Sequence, residues 1–267
     1  MKTYICVGIG DMIFLDSILT KEEKETITEI YWGCRFGEAL KPLLDGNPDY
    51  PNLIAQHTID EEAGRSAMER ISPGQGDFWH FRPDFPTNYR VGLELFGLKE
   101  DEVQAVDAVG CFEDSTRPYV RSSFISNANK LDIDPYIFFH YPTSTRPRTD
   151  IAKIDADDWG FIGELSRKEN LKVMIVSDCE VNVPLLNYEL LIKPDIKHIV
   201  ELAAFCSYYA GCDSFGAHLA SKVLPKEKLF IKLSPNFTGW NTWLSRAFLP
   251  HPLEDVKTFY KPYIGRP

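Results

Sequence analysis

The segment Asp213-Ser214-Phe215-Gly216-Ala217-His218-Leu219-Ala220 gathers groups suited to holding an anion. It follows a short apolar run and leads into Leu219, Ala220, Val223 and Leu224. That spacing predicts a strand, a turn and a helix over residues 216–224. Asp213 or Ser214 would cap the helix, and the unsatisfied N–H groups of the first turn, with the macrodipole, would attract phosphate. Gly216 lies in the same turn. His218 stands four residues after Ser214 on the same helix face, where its ring could donate to a diphosphate oxygen. The plainer alternative is an N-cap followed by a buried histidine.

A second candidate is Gly8-Ile9-Gly10-Asp11, between an apolar strand at 3–7 and an apolar helix carrying Met12, Ile13, Phe14, Leu15, Ile18 and Leu19. Gly8 and Gly10 permit a tight turn and close approach of a ligand. Asp11 then sits at a strand's carboxyl end, placed either as a general base taking a proton from a hydroxyl or as a helix cap. A dinucleotide fingerprint does not fit, because the third glycine position of G-x-G-x-x-G is Ile13.

Three further loops carry reactive groups. In His140-Tyr141-Pro142-Thr143-Ser144-Thr145-Arg146-Pro147-Arg148, Ser144, Thr145 and a guanidinium are candidates for phosphate contact. Arg146, Arg148 and the downstream Lys153 compete for the cationic role, and a solvated basic loop is the plainer reading. The run from Ser72 to Asn88, broken by Pro73, Gly74, Gly76, Pro83 and Pro86, carries Trp79, His80 and Arg82, which could stack on and hydrogen-bond an acceptor. Asp178-Cys179-Glu180 offers carboxylates for a ribose, or simply an exposed acidic turn.

The elements that must position these loops alternate. Strands are predicted at 3–7, 27–32, 52–56, 136–140, 172–176, 208–212 and 229–233. Helices are predicted from Met12, at 36–44, 89–96 (ended by Gly97), 157–167, 196–205 and 216–224. This order implies parallel sheets with covering helices, whose ligand loops lie at the carboxyl ends of strands. An irregular stretch at 114–134 separates two series of similar size. The expected domains are residues 1–130, binding an acceptor, and 131–250, binding the phosphate-bearing ligand, with a tail at 251–267 returning to the first.

The chain has 267 residues, 44% of them hydrophobic and 25% charged, with a formal net charge of -10. That charge disfavours nucleic acid and anionic lipid, although Arg82, Arg90, Arg117 and Arg121 could form a local basic surface. Six scattered cysteines, none spaced C-x-x-C, predict free buried thiols in a reducing cytoplasm. No leader and no membrane-spanning run is read, so a cytoplasmic location is expected.

These residues resemble the heptosyltransferase family of lipopolysaccharide biosynthesis, glycosyltransferase family nine. The opening through Asp11 resembles that family's first loop, and residues 213–220 resemble its D-[ST]-G-x-x-H-[LI]-A signature, with Phe215 where the family has glycine. Residues 36–54 and 89–98 resemble its first-domain helices, and 136–148 with Lys153 and Trp159 its hydroxyl-rich and lysine-tryptophan loop. The resemblance implies an α/β GT-B fold, two Rossmann-like domains whose parallel sheets face a central cleft. It also implies an inverting transfer from a nucleoside-diphosphate sugar to an acceptor hydroxyl of a glycan or other molecule. Asp11 would be the base, and Gly10, Asp213, Ser214, Gly216 and His218 would belong to the donor site. No cofactor or metal is expected: Asp132-Ile133-Asp134 and Asp155-Ala156-Asp157 do not sit in loops suited to a D-x-D site. A sugar-nucleotide epimerase or hydrolase, or a non-catalytic nucleotide-binding protein, are the alternatives.

Overall fold

A computed structural model describes residues 1–34, 36–71, 85–107, 119–141, 154–212, 214–232 and 250–251. The chain divides into two compact units, Met1–Asn127 and Ala128–Pro267.

In the first unit, strands β1 (Lys2–Cys6), β2 (Glu29–Trp32), β3 (Ala55–Thr58) and β4 (Gln104–Asp107) form one parallel sheet in the order β3-β2-β1-β4. The helices are α1 (Ile9–Ile18), α2 (Lys21–Thr26), α3 (Gly37–Leu44), α4 (Glu61–Ile71), α5 (Phe85–Phe96) and α6 (Ser123–Ser126). Helix α1 is apolar nearly all round, and Met12 through Ile18 are buried, as a helix enclosed on every side must be. Its one charged buried residue is Asp16, fully covered. Burying that carboxylate requires partners on every lone pair. Lys24 supplies an ammonium at 2.8 Å, and Tyr50, Ser122 and Ser123 donate hydroxyls, with Ser123 also donating its backbone N–H. This cluster ties α1, α2, the loop at Tyr50 and α6 together.

In the second unit, β5 (Tyr136–His140), β6 (Lys172–Ser177), β7 (Tyr188–Ile192), β8 (Tyr208–Cys212) and β9 (Leu229–Lys232) form a parallel sheet ordered β7-β6-β5-β8-β9. Helices α7 (Ala156–Glu169), α8 (Ile196–Phe205) and α9 (Phe215–Ser221) accompany it. Period-two alternation sends the β5 side chains to opposite faces. Ile137 and Phe139 pack with Ile162 and Leu165 of α7. Phe138 meets the ring of Tyr209 edge-on on the other face, and Tyr136 donates its hydroxyl to the carbonyl of Leu202 in α8. Phe138 and Phe139 are wholly buried, each contributing on the order of 2–3 kcal/mol of apolar transfer energy.

Both sheets share one topological property. From β1 the chain winds outward through β2 to β3, then returns to the other side of β1 as β4. From β5 it winds through β6 to β7, then returns to the other side of β5 as β8. The carboxyl ends of β1/β4 and of β5/β8 are therefore switch points, where connections diverge and leave room for a ligand.

Several elements differ from the sequence expectation. Helix α2 was not expected, although Thr20 and Glu23 cap its start reciprocally, with Thr20 N–H donating to the Glu23 carboxylate at 2.8 Å and Glu23 N–H to the Thr20 hydroxyl at 3.2 Å. Helix α4 and the short strands β4 and β7 were not expected either. Strand β7 follows β6 without an intervening helix, so alternation of element types gives no cue for it. The third strand starts at Ala55, not Asn52, because the chain turns at Tyr50, whose carbonyl accepts from Leu53 N–H. Helix α5 begins four residues early and ends where expected, with Gly97 at φ +66°, the left-handed stop that glycine adopts without strain.

Of the cysteines, Cys6, Cys34, Cys206 and Cys212 are buried, whereas Cys179 is exposed, against the expectation of buried thiols; Cys111 lies outside the described residues. Of the 251–267 tail, His251 is described. Its ring lies 3.1 Å from the carbonyls of Ser221 and Leu224, within the second unit. Among the described residues, no helix is long and apolar enough to cross a membrane.

Candidate functional site

At the first switch point, the expected turn Gly8–Asp11 is shorter than predicted. Helix α1 starts at Ile9, and Gly8 is its N-cap with φ -75° and ψ 169°, a backbone open to any residue. Gly10 and Asp11 thus belong to the first helical turn, not to a loop. Asp11, half-buried, accepts the Gly8 N–H on Oδ2 at 3.1 Å. The capping role is therefore present, and it holds the carboxylate at the carboxyl end of β1.

The second switch point is built around Ser214. Its backbone is extended (φ -157°, ψ 171°), as an N-cap should be, but its hydroxyl makes no capping bond. Instead Ser214 Oγ lies 2.7 Å from His140 Nδ1 and 3.3 Å from Tyr209 Oη. His140 closes β5 and was not singled out from the sequence. Its ring runs nearly parallel to that of Phe138 (centroids 6.3 Å apart, 14° between planes) and meets Phe215 edge-on at 4.9 Å. Phe215 thus fills space against His140. Burial pushes the His140 imidazole down to about 4, with Asp178 pulling weakly the other way, so the ring is neutral near pH 7.

Two glycines make this packing possible. A Cβ on Gly216 would come 2.8 Å from His140 Nδ1, and one on Gly211 would meet the His140 carbonyl oxygen at 2.8 Å. Gly211 also adopts φ +154°, a conformation that side chains disfavour. Gly216, read from sequence as part of an anion site, is required here for helix α9 to approach β5.

His218 donates its backbone N–H to the Ser214 carbonyl at 3.1 Å, and the residue is 4% exposed. Helix α9 ends at Ser221, earlier than the expected Leu224. Beyond β6, Asp178, Cys179 and Glu180 are exposed, and the Ser177 hydroxyl bonds both the carbonyl and the N–H of Cys179. At the end of β9, Lys232 donates to Asp155 and Asp158. Asp155 caps α7 by accepting from the N–H groups of Asp157 and Asp158, so Lys232 fastens that helix start to the sheet. This lysine was not singled out either; only its place at a strand's carboxyl end hinted at it.

Ser144, Thr145, Arg146, Arg148, Lys153 and Asp213, and the expected acceptor contacts Trp79, His80 and Arg82, lie outside the described residues. Among the described residues, no three His, Cys, Asp or Glu side chains converge as metal ligands would.

No family profile matches the chain, and no curated protein matches it in sequence. Solved structures do resemble it. It is similar to the ADP-heptose LPS heptosyltransferase II of E. coli, with a TM-score of 0.54 at 13% identity, covering 97% of each chain. It is also similar to a glycosyl transferase family 9 protein from Veillonella parvula, with a TM-score of 0.52 at 9% identity, covering 99% of this chain and 97% of the other. The resemblance noted in the sequence is thus matched at the level of the fold: the chain has the α/β, GT-B-type fold of these glycosyltransferases, with a four-stranded and a five-stranded parallel sheet.

Proposed function

We propose that this chain is a glycosyltransferase that moves a sugar from a nucleoside-diphosphate sugar to an acceptor hydroxyl, with inversion and without a metal ion. The observation that carries the reading is positional. The two motifs singled out for chemistry, around Asp11 and around Ser214, each follow a strand at the switch point of its sheet. The fold likeness to glycosyltransferases supports it.

In this reading Asp11 takes the proton of the attacking hydroxyl, which requires a carboxylate at a fixed place. The Gly8 N–H provides that fixing. Gly10 lets the donor approach closely. The Ser214 hydroxyl and the N–H groups opening α9 hold the leaving diphosphate and carry the charge a cation would otherwise neutralise. His218 is a further diphosphate contact. Asp213, Ser144, Thr145 and one of Arg146, Arg148 and Lys153 complete the donor side, and Trp79, His80 and Arg82 the acceptor side. No cofactor takes part. The acceptor is a glycan or another hydroxyl compound rather than a nucleic acid, and the reaction runs inside the cell.

Thermal-shift measurements with adenosine, uridine, guanosine and cytidine diphosphate sugars test the donor site. The adenosine series comes first, because the E. coli neighbour is named for ADP-heptose. Ligand at about 100 times its Kd should stabilise the fold by roughly 2.7 kcal/mol. Nucleoside diphosphate released only when acceptor is present supports transfer. Release without acceptor indicates a hydrolase, binding without turnover a non-catalytic protein, and no stabilisation by any donor ends the reading.

A further inference from the structure

We infer that His140 is a positioning residue: its Nδ1–H donates to Ser214 Oγ and thereby directs the one hydroxyl proton of Ser214 toward an oxygen of the donor diphosphate. The inference rests on the donor site proposed above and deepens it.

The direction follows from counting protons. A serine hydroxyl has one proton to give and lone pairs to receive, and a phenol likewise. Tyr209 Oη lies 3.1 Å from the carbonyl oxygen of Cys212, a group that can only accept. The phenolic proton is placed there. The Tyr209 oxygen then turns a lone pair to Ser214 at 3.3 Å, so across that contact Ser214 is the donor. His140 Nδ1, at 2.7 Å from the same hydroxyl, must in turn donate. Were Nδ1 the acceptor, two lone pairs would compete for the single Ser214 proton. With Nδ1–H the chain runs His140 to Ser214 to Tyr209 to the Cys212 carbonyl, one proton for each of these three contacts, and each bond polarises the next.

The surroundings hold the ring in this role. Phe138 lies nearly parallel to it, Phe215 meets it edge-on, and Gly216 admits it against α9. A nucleophilic serine does not fit. Ser214 has a relaxed extended backbone, not the strained turn of a nucleophile elbow, and a protonated Nδ1 cannot act as its base. When a diphosphate oxygen arrives, Ser214 exchanges its long bond to the neutral Tyr209 oxygen for a charge-assisted one, while His140 continues to feed its lone pair.

The test has two parts on the full chain. Long-range proton–nitrogen spectra of ring-labelled histidine near pH 7, assigned with His140→Asn, report which nitrogen carries the proton. Nδ1 is expected, and protonation on Nε2 would overturn the inference without any ligand. Titration with ADP then compares wild type, His140→Asn, which can still supply an N–H, and His140→Asp, whose carboxylate only accepts. Asparagine should bind within about threefold of wild type, and aspartate should lose about tenfold or more, the scale of one charge-assisted bond. Repeating both in Ser214→Ala isolates the effect of the added charge, because the hydroxyl relay is gone: the difference between Asn and Asp should largely vanish there. If it persists, the aspartate acts by charge repulsion and the inference fails. If wild type binds no ADP or other nucleoside diphosphate, the donor site itself falls; if binding is normal and Asn and Asp behave alike, only the role of His140 does.

Discussion

Gly216 lies directly against the imidazole of His140, so closely that a single methyl group would stand 2.8 Å from Nδ1. Gly216→Ala must therefore displace the ring or the helix. Overpacking of this kind costs about 1–3 kcal/mol. Chemical denaturation should show that loss, and ADP affinity should fall with it, because the Ser214 hydroxyl loses its support. A variant with wild-type stability and affinity would mean that the two groups are not packed as described.

Acid should weaken the fold through His140. The folded imidazole titrates at about 4 because burial disfavours its charge, against about 6.5 in the unfolded chain. Between those values the unfolded state holds a proton that the folded state lacks, so stability falls as pH drops through the window and is fully present above it. The displacement corresponds to roughly 3–4 kcal/mol. Unfolding free energies of wild type and His140→Asn, measured from pH 7 to 4, should converge as the pH falls; parallel curves would contradict the shift.

Asp11→Asn separates capping from catalysis. Asparagine still offers an oxygen to the Gly8 N–H, so the melting temperature and donor binding should hardly change. Removing the base should lower turnover by about 10²–10⁴-fold. Unchanged transfer in this variant would leave Asp11 as a helix cap and nothing more.

Asp16→Ala should be the most damaging of these changes to stability. It leaves Lys24, Tyr50, Ser122 and Ser123 without their common acceptor in a closed core. Breaking a buried ion pair by removing one member costs about 3–5 kcal/mol. Urea titration should show a matching fall for the first unit, and a loss below about 1 kcal/mol would mean that water reaches the cluster.

What the sequence made legible follows from the range of the forces involved. Strands β5 and β8 and helix α8 could be read to the residue, since apolar runs announce them locally. Strand β7 has no helix before it, and β4 (Gln104–Asp107) has only Ala105 and Val106 as apolar residues, so neither stands out locally. Asp11 and Ser214 could be picked out as chemical groups at strand ends. Ser214 was one of two residues expected to cap the helix, with Asp213, yet its hydroxyl turns to His140, 74 residues away in sequence. No local pattern encodes such a pairing. Gly216 stood out as a glycine, but its reason lies in the same distant ring.

The closure of the first unit around Asp16 also sets an order of events at the ribosome. Synthesis delivers the acidic group and Lys24 about a hundred positions before Ser122 and Ser123 are made. Until they emerge, the nascent N-terminal half carries an interior charge with half its partners missing. The unit can therefore complete its fold only once its last segment has left the exit tunnel, and a nascent chain arrested before position 122 should stay open to protease.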